Sequence, residues 1–211
     1  MPDAKICGIT TPEALDAAIE GGARFVGFVT YPKSPRFLTQ DKLAALARRA
    51  AGRVETVLVT VAADDAHLVA AIEAAQPDWI QLHGGEAPGR VAEVRRFARR
   101  GVIKAMGVGR REDLMAASAY EPVADMLLFD AQAPSAAAQP GGNAMAFDWS
   151  LLGSWTFGRP WLLAGGLTPV NVREAIRVSG ADLVDVSSGV ESAPGLKDPL
   201  LIAQFLAAVE V

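Results

Sequence analysis

Short apolar runs that end in small or polar residues alternate with helical segments along almost the whole chain. The last such unit shows the pattern: an apolar run from Trp161 ends at Gly165 and Gly166, a helical segment follows, and a second apolar run ends near Ser187. Strands that alternate with helices in this way pair in parallel, because parallel neighbours need a long crossover connection. The alternation therefore predicts an α/β fold with a parallel sheet.

The number of strands decides the architecture, since eight parallel strands close into a barrel. A chain of 211 residues lies near the short end of the range for such barrels, roughly 200 to 400 residues. We predict a single (β/α)8 TIM barrel domain over residues 1–211, with the active site at the C-terminal ends of the strands. The predicted strands are residues 4–9, 24–29, 55–61, 79–83, 102–106 and 125–130 and the two apolar runs of the last unit.

Composition excludes several classes of function. The net charge of -4 argues against a nucleic-acid or membrane-surface protein, whose basic face would show in the balance. The single cysteine, Cys7, cannot form an intrachain disulfide and fits a reducing compartment. The first residues lack a signal-peptide pattern, and no uncharged apolar run is long enough to span a membrane. We therefore expect a cytoplasmic protein that binds neither nucleic acid nor membrane.

Residues 131–146 interrupt the alternation with a run of Ala, Pro, Gly and Gln. A structureless loop of that length inside a compact domain is usually a lid, a binding loop or a disordered segment. We interpret it as a mobile loop over the mouth of the active site.

Polar side chains occur at the C-terminal ends of four predicted strands. Side chains alternate across a strand, so residues two apart share one face. If these faces point into the barrel, their polar groups converge at the mouth, where barrel enzymes carry catalytic residues. The pairs that share a face are Lys5 with Cys7, Gln81 with His83, Leu128 with Asp130, and Asp185 with Ser187.

Purely structural interpretations of these residues remain open at this point. A lone cysteine in an apolar strand, such as Cys7, is often a small buried hydrophobic residue. His83 can be a polar residue satisfied at a strand end, and Asp130 can cap a helix or form a turn.

Small residues follow the last two strands, where they leave the backbone accessible. Backbone N–H groups that no Cβ obstructs can approach an anion, and the loops after strands seven and eight commonly bind phosphate in barrel enzymes. We predict a phosphate cradle built from the backbone of Gly165, Gly166, Ser187, Ser188 and Gly189.

Several short motifs, in order and at strand ends, resemble the phosphoribosylanthranilate isomerase family of tryptophan biosynthesis. Each motif is weak alone, but the ordered set covers nearly the whole chain. The motifs are Lys5-Ile6-Cys7-Gly8-Ile9-Thr10, Gly27-Phe28-Val29, Ser34-Pro35-Arg36, Gln81-Leu82-His83-Gly84, Leu127-Leu128-Phe129-Asp130, Phe147-Asp148-Trp149, Leu163-Ala164-Gly165-Gly166-Leu167 and Asp185-Val186-Ser187-Ser188-Gly189-Val190-Glu191.

The resemblance implies an Amadori rearrangement of N-(5-phosphoribosyl)anthranilate to 1-(2-carboxyphenylamino)-1-deoxyribulose 5-phosphate. A general acid protonates the ribose ring oxygen, and a general base removes the proton from C2. By similarity, Cys7 is the base and Asp130 is the acid. No redox step occurs, so we expect no cofactor and no metal.

Both roles require protonation states that differ from the ordinary ones. A thiol with a pKa near 8.5 must lose its proton near neutrality, whereas an aspartate must keep one. We expect Lys5 to lower the pKa of Cys7, and we expect the apolar residues 126–129 to favour protonated Asp130 by desolvation.

The resemblance also implies contacts with the substrate. Arg36 would hold the anthranilate carboxylate with its planar guanidinium. Asp185 would meet a sugar hydroxyl or play an internal structural role, and both alternatives stay open.

The long loop would close the phosphate cradle with Gly141 and Gly142. The family usually has glycine two positions after Gly142, where this chain has Ala144. We predict that the loop is relaxed with Ala144 at negative φ, so that the substitution changes phosphate binding little.

Two other functions were weighed against this one. A histidine-pathway isomerase performs the same rearrangement on a larger bisphosphorylated substrate, but that family shows a two-fold repeat with two aspartates. A non-catalytic phosphosugar-binding barrel would need neither Cys7 nor Asp130. The protein is expected to bind a small phosphorylated substrate, as a monomer or a homodimer.

Overall fold

The computed structural model describes residues 2–132 and 147–210. Within them, eight parallel strands pair in chain order and close into a barrel, because β8 pairs with β1. These strands are β1 (Asp3–Cys7), β2 (Phe25–Val29), β3 (Glu55–Thr60), β4 (Trp79–Leu82), β5 (Gly101–Val108), β6 (Met126–Ala131), β7 (Trp161–Leu163) and β8 (Leu183–Val186).

Helices follow the strands and surround the barrel, which confirms the predicted (β/α)8 architecture. They are α1 (Pro12–Glu20), α2 (Gln40–Ala50), α3 (Asp65–Ala75), α4 (Pro88–Arg95), α5 (Arg111–Met115), α6 (Ser150–Gly153), α7 (Val172–Ser179) and α8 (Pro199–Val209). Two 3-10 segments, Ala116–Ala119 and Ser188–Val190, and an antiparallel hairpin of β9 (Glu191–Ala193) and β10 (Leu196–Lys197) complete the described structure.

The start of α1 shows how local sequence sets an element. Thr11 precedes the helix, and its hydroxyl accepts a hydrogen bond from the backbone N–H of Ala14 at 3.3 Å. Pro12 occupies the first turn, where a missing N–H costs nothing. Asp198 caps α8 in the same way, because its carboxylate accepts a hydrogen bond from the backbone N–H of Leu200 at 2.8 Å.

Two apolar clusters lie on the two faces of the barrel sheet. The outer cluster packs strands against helices. The inner cluster fills the barrel, so the inward direction of Cys7 and Leu128 is confirmed. The inner cluster contains Cys7, Phe25, Val29, Val57, Val59, Trp79, Ile103, Ala105, Met126, Leu128, Leu162, Ala164 and Leu183.

Several element boundaries differ from the sequence prediction. β1 ends at Cys7 instead of Ile9, because Gly8 adopts a left-handed backbone with φ of 79°. β5 extends over Gly101–Val108, beyond the predicted residues 102–106. The hairpin of β9 and β10 has no counterpart among the predicted strands.

The predicted mobile loop over residues 131–146 overlaps the described chain only at its start. β6 runs from Met126 through Ala131, so the strand begins and ends one residue later than predicted. Residues 133–146 lie outside the described residues. Among the helices of residues 2–132 and 147–210, none is long and apolar enough to cross a membrane.

Candidate active site

Cys7 and Asp130 both lie at the C-terminal mouth of the barrel. Cys7 is the last residue of β1, and Asp130 is the penultimate residue of β6. Both face inward by strand alternation, and both are buried, with 6% and 8% of their surface exposed. β7 and β8 separate their strands in the barrel, so the two side chains approach the mouth from different directions.

A glycine makes room for the Cys7 side chain. Gly27 on β2 is the register partner of Cys7. A Cβ atom at Gly27 would lie 2.9 Å from Cys7 Sγ and 3.3 Å from Lys5 Cε, which is too close for ordinary packing. The absence of a side chain at Gly27 therefore lets Lys5 and Cys7 share the inner face of β1.

Lys5 is fully buried directly beneath Cys7 and is bound to Asp185. Its Nζ donates to Asp185 Oδ1 at 2.9 Å. Burial is the largest single influence and lowers the pKa of Lys5, but Asp185 and Cys7 together outweigh burial, so that the pKa is raised. Lys5 is therefore an ammonium inside the barrel.

Burial keeps the pKa of Cys7 above that of an ordinary thiol, although Lys5 lowers that pKa in the expected direction. Burial raises the pKa of Cys7, and the Asp185 carboxylate adds to this. Lys5 and Lys197 act in the opposite direction, but they do not overcome burial. Cys7 is thus held mainly as a thiol, and the cations beside it set the size of the thiolate fraction.

Asp130 is held by two hydrogen bonds. Its Oδ1 accepts from the backbone N–H of Ala131 at 2.9 Å. Its Oδ2 lies 3.2 Å from His83 Nε2. The first contact is of the turn type considered in the sequence analysis, whereas the second joins Asp130 to a titratable side chain across the mouth.

The tautomer of His83 follows from its other neighbour. His83 Nδ1 lies 2.7 Å from Gln81 Nε2. An amide nitrogen only donates, so Nδ1 accepts and the ring proton lies on Nε2, which donates to Asp130. The Oε1 atom of Gln81 is buried without a hydrogen-bond partner in the described structure.

Arg36 is buried and paired instead of being a solvated loop charge. Its Nε donates to Glu191 Oε1 at 2.7 Å and one Nη donates to Glu191 Oε2 at 2.8 Å. The side chain lies over Gly8, where a Cβ atom would come within 2.5 Å of Arg36 Cδ. Within residues 2–132 and 147–210, the second Nη of Arg36 donates no hydrogen bond, so one edge of the guanidinium stays available for a carboxylate.

Glu191 also binds Lys197, its register partner in the hairpin. Burial opposes ionisation of Glu191, but the bonds from Arg36 and Lys197 outweigh it and lower the pKa of the carboxyl. Burial lowers the pKa of Lys197, and Glu191 only partly compensates. The result is a buried triad of two cations around one carboxylate.

Asp185 has an internal role in the described structure. Its side chain is buried and one oxygen is occupied by Lys5. Of the two alternatives left open by the sequence, the structural one is therefore realised here. A contact with a sugar hydroxyl stays a prediction.

The two predicted phosphate loops have the backbone that the sequence indicated. Gly165 and Gly166 have φ of 86° and 65°, which only glycine adopts easily. A Cβ atom would lie 2.5 Å from the backbone nitrogen of Ala131 at Gly165, and 1.8 Å from the carbonyl oxygen of Leu167 at Gly189. The loops after β7 and β8 are thus in direct contact.

Side-chain hydrogen bonds fix the loop after β7. Asn171 donates to the carbonyl of Gly166 at 2.9 Å and accepts from the N–H of Thr168 at 2.7 Å. Ser187 donates to the carbonyl of Cys7 at 3.2 Å, and Ser188 begins the 3-10 segment. The predicted contributions of Gly141, Gly142 and Ala144 lie outside the described residues.

Two members of the site were missed by reasoning from the sequence. Glu191 appeared only as the last letter of a motif, and Lys197 was not singled out. Both flank the turn Ala193-Pro194-Gly195 directly after a predicted phosphate loop. A Pro-Gly turn with an acidic residue before it and a basic residue after it is a hairpin signal, and it would have indicated that Glu191 and Lys197 pair.

The described residues offer no obvious place for a metal ion. Among residues 2–132 and 147–210, no three His, Cys, Asp or Glu side chains are grouped as a ligand set.

The fold and the site together define a class of protein. A closed (β/α)8 barrel with a glycine-rich loop after β7 and an inward-facing aspartate and thiol at its mouth is typical of barrel enzymes that act on phosphorylated substrates. The family model described as N-(5'-phosphoribosyl)anthranilate (PRA) isomerase matches residues 4–208. The chain belongs to this family, and its function is that of an aldose–ketose isomerase of tryptophan biosynthesis.

Relatives and solved structures agree with this assignment. The N-(5'-phosphoribosyl)anthranilate isomerase of Paracoccus denitrificans is 54% identical over 203 residues, which cover 96% of this chain and 94% of the relative. That of Paramagnetospirillum magneticum is 52% identical, covering 99% and 97%. The crystal structure of the phosphoribosyl anthranilate isomerase from Thermotoga maritima is similar with a TM-score of 0.89 at 36% identity, covering 100% and 99%.

One further solved structure bears on the ligand. It is a phosphoribosyl anthranilate isomerase in complex with reduced 1-(o-carboxyphenylamino)-1-deoxyribulose 5-phosphate, similar with a TM-score of 0.85 at 34% identity, covering 100% of this chain and 99% of that one.

Proposed function

We propose that the barrel mouth performs the Amadori rearrangement of N-(5'-phosphoribosyl)anthranilate with Cys7 as general base and Asp130 as general acid. This assignment rests on one observation, which is that the Cys7 and Asp130 side chains have different surroundings. Lysines lie beside Cys7, whereas Asp130 contacts the neutral His83 and a backbone amide. Positive charge favours the anionic form of the base, and the donors beside Asp130 stabilise the carboxylate that remains once it has given up its proton.

The acid acts first. Asp130 gives its proton to the furanose ring oxygen, and the bond between C1 and that oxygen breaks with its electrons going to the oxygen. The nitrogen lone pair then forms a C=N bond at C1, which gives an iminium. Asp130 is left as a carboxylate, which the N–H of His83 and that of Ala131 stabilise.

The base acts second. The thiolate of Cys7 removes the proton from C2, and the electrons of that C–H bond form a double bond between C1 and C2. The electrons of the C=N bond return to nitrogen, giving an enolamine. Protonation at C1 and loss of the hydroxyl proton at C2 then give the ketose amine.

The ends of the substrate fit two separate parts of the mouth. The phosphate binds to backbone N–H groups of the loops after β7 and β8, where Gly165 and Gly166 adopt a left-handed backbone and Gly189 packs against the first loop. The available edge of Arg36 receives the anthranilate carboxylate, and Glu191 holds the guanidinium in place from the other edge. Gly141 and Gly142 add further phosphate contacts.

The proposal extends to the state of the protein. The chain acts as a single barrel domain in the cytoplasm and binds a small phosphorylated substrate. Its assembly is that of a monomer or a homodimer, and a similar solved structure is that of a dimeric relative engineered to monomers.

The test is a turnover assay with freshly generated phosphoribosylanthranilate. The purified protein is expected to remove the anthranilate-type fluorescence of the substrate, and Cys7→Ala protein at the same concentration serves as control. No loss of fluorescence with the folded parent protein would overturn the proposed function.

A further inference from the structure

Lys197 is a buried cation at the mouth that the reaction described above does not use. It ends the β9–β10 hairpin and is only 3% exposed. Its ammonium binds Glu191 and lies 3.4 Å from the hydroxyl oxygen of Ser187. That hydroxyl donates to the backbone carbonyl of Cys7 at 3.2 Å. The Ser187 side chain therefore connects Lys197 to the backbone of Cys7, the proposed base.

The charges that face Cys7 come from three elements. Lys5 lies on β1, Asp185 on β8 and Lys197 on β10. Lys5 and Asp185 form a buried pair at 2.9 Å, and they act on the pKa of Cys7 in opposite directions, with Lys5 the stronger of the two. Asp185 therefore offsets part of the effect of Lys5.

The second group of charges does not cancel. Glu191 is shared between Arg36 and Lys197, so two cations surround one carboxylate and the triad carries one excess positive charge. All three side chains are buried, where water screens a charge poorly. Lys197 lowers the pKa of Cys7, so the excess charge of the triad adds to the effect of Lys5 on the thiol.

We propose that Lys197 is a positioning residue for the base, which increases the thiolate fraction of Cys7 through the excess charge of the triad with Arg36 and Glu191. This inference rests on the proposed function, because it gives the thiolate its use. On this inference, the hairpin after β8 contributes to proton abstraction, in addition to lying beside the phosphate loop.

A purely structural role for Lys197 predicts something different. A residue that only ties the hairpin together would change thermal stability when replaced, but it would leave the acidity of Cys7 unchanged. The acidity of the thiol is therefore the readout that separates the two roles.

Cys7 is the only cysteine of the chain, so thiol alkylation reports on it alone. The rate of alkylation by iodoacetamide is measured against pH for the parent, Lys197→Met and Lys197→Arg proteins. Lys42→Met, which removes an exposed lysine on α2, is the matched control. Thermal unfolding shows that each variant is folded.

Removal of a nearby positive charge raises the pKa of a thiol, so the alkylation profile of Lys197→Met should move to higher pH. We expect about a tenfold slower reaction near neutrality, which corresponds to about one pKa unit. Lys197→Arg keeps the charge and should stay within about threefold of the parent, as should Lys42→Met.

A folded Lys197→Met protein whose alkylation profile coincides with that of Lys42→Met would overturn the proposal. If Lys197→Met does not fold, Lys197→Gln takes its place, because glutamine still donates to Glu191 without a charge. The same shift is expected for Lys197→Gln, and its absence would overturn the proposal equally.

Alkylation needs no substrate, so it separates this inference from the proposed function. A parent protein that fails to turn over phosphoribosylanthranilate would overturn the function while the alkylation shift still supports the role of Lys197. A parent that turns over while Lys197→Met shows no shift would overturn the inference alone.

Discussion

The two sides of the barrel mouth are built from different chemistry. The base side comprises Cys7 with Lys5, Asp185 and the triad of Arg36, Glu191 and Lys197, and its polar groups are ion pairs. The acid side comprises Asp130 with His83 and Gln81, joined by hydrogen bonds. Within residues 2–132 and 147–210, Asp130 has no lysine or arginine partner.

The difference teaches how one pocket can serve a base and an acid. Cations on the base side increase the thiolate fraction of Cys7, although burial keeps it mainly a thiol. Hydrogen-bond donors on the acid side stabilise the Asp130 carboxylate that proton transfer leaves behind. Each side can be disturbed separately by substitution.

Removal of either reacting group should have the largest effect. Cys7→Ala and Asp130→Asn should each lower kcat roughly 10²- to 10⁴-fold, because a positioned acid or base typically contributes that much. Binding of the reduced product analogue, measured by calorimetry, should survive in both variants. If Asp130→Asn kept kcat within about threefold of the parent, another group would be the acid and the comparison would fail on that side.

Crowding of the base should have the next largest effect. Gly27→Ala places a Cβ atom 2.9 Å from Cys7 Sγ, so the thiol must move. A displacement of about 1 Å at a reacting group costs about 10²-fold in rate, and we expect kcat to fall by that order. Gly89→Ala, where an added Cβ has no neighbour within 4 Å, is the control, and equal rates for the two variants would contradict the prediction.

Loss of the guanidinium should affect binding more than chemistry. Arg36→Met should raise KM about ten- to a hundredfold, since one charge-assisted pair contributes about 1.5 to 3 kcal/mol in ground and transition states alike. Steady-state kinetics give KM, and a product analogue without the carboxylate is the control ligand. A large fall in kcat at unchanged KM would mean that Arg36 acts at the reacting carbon.

The smallest effect concerns the acid side. His83→Asn removes the contact of 3.2 Å to Asp130 and should lower kcat about tenfold, the equivalent of one hydrogen bond to a charged group. KM should change little. His67→Asn, which alters the only other histidine of the chain, is the matched control, and indistinguishable kcat values for the two variants would show that His83 is merely a satisfied polar residue.

The fold was predictable because its signals are local and repeated. Each strand and helix carries its own periodicity, and Thr11 with Pro12 marks the start of α1 by capping chemistry alone. Strand alternation then sufficed to place Cys7 and Leu128 inside the barrel. These inferences need only neighbouring residues along the chain.

The electrostatics of the site were not predictable in the same way. The pKa of Cys7 depends on how deeply the thiol is buried and on Asp185, which binds Lys5 across 180 positions of sequence. The pairing of Arg36 with Glu191 spans 155 positions. The space that Gly27 provides for Cys7 appears only when β1 and β2 are paired in register.

The central claim, that the base side faces C2 and the acid side faces the ring oxygen, is tested most directly by a crystal structure. The protein is crystallised with reduced 1-(o-carboxyphenylamino)-1-deoxyribulose 5-phosphate, which cannot react. The account predicts Cys7 Sγ within about 4 Å of C2 and an Asp130 oxygen about 3 Å from the oxygen on C4 that formed the ring. A complex in which Asp130 faces C2 and Cys7 faces that oxygen would contradict it.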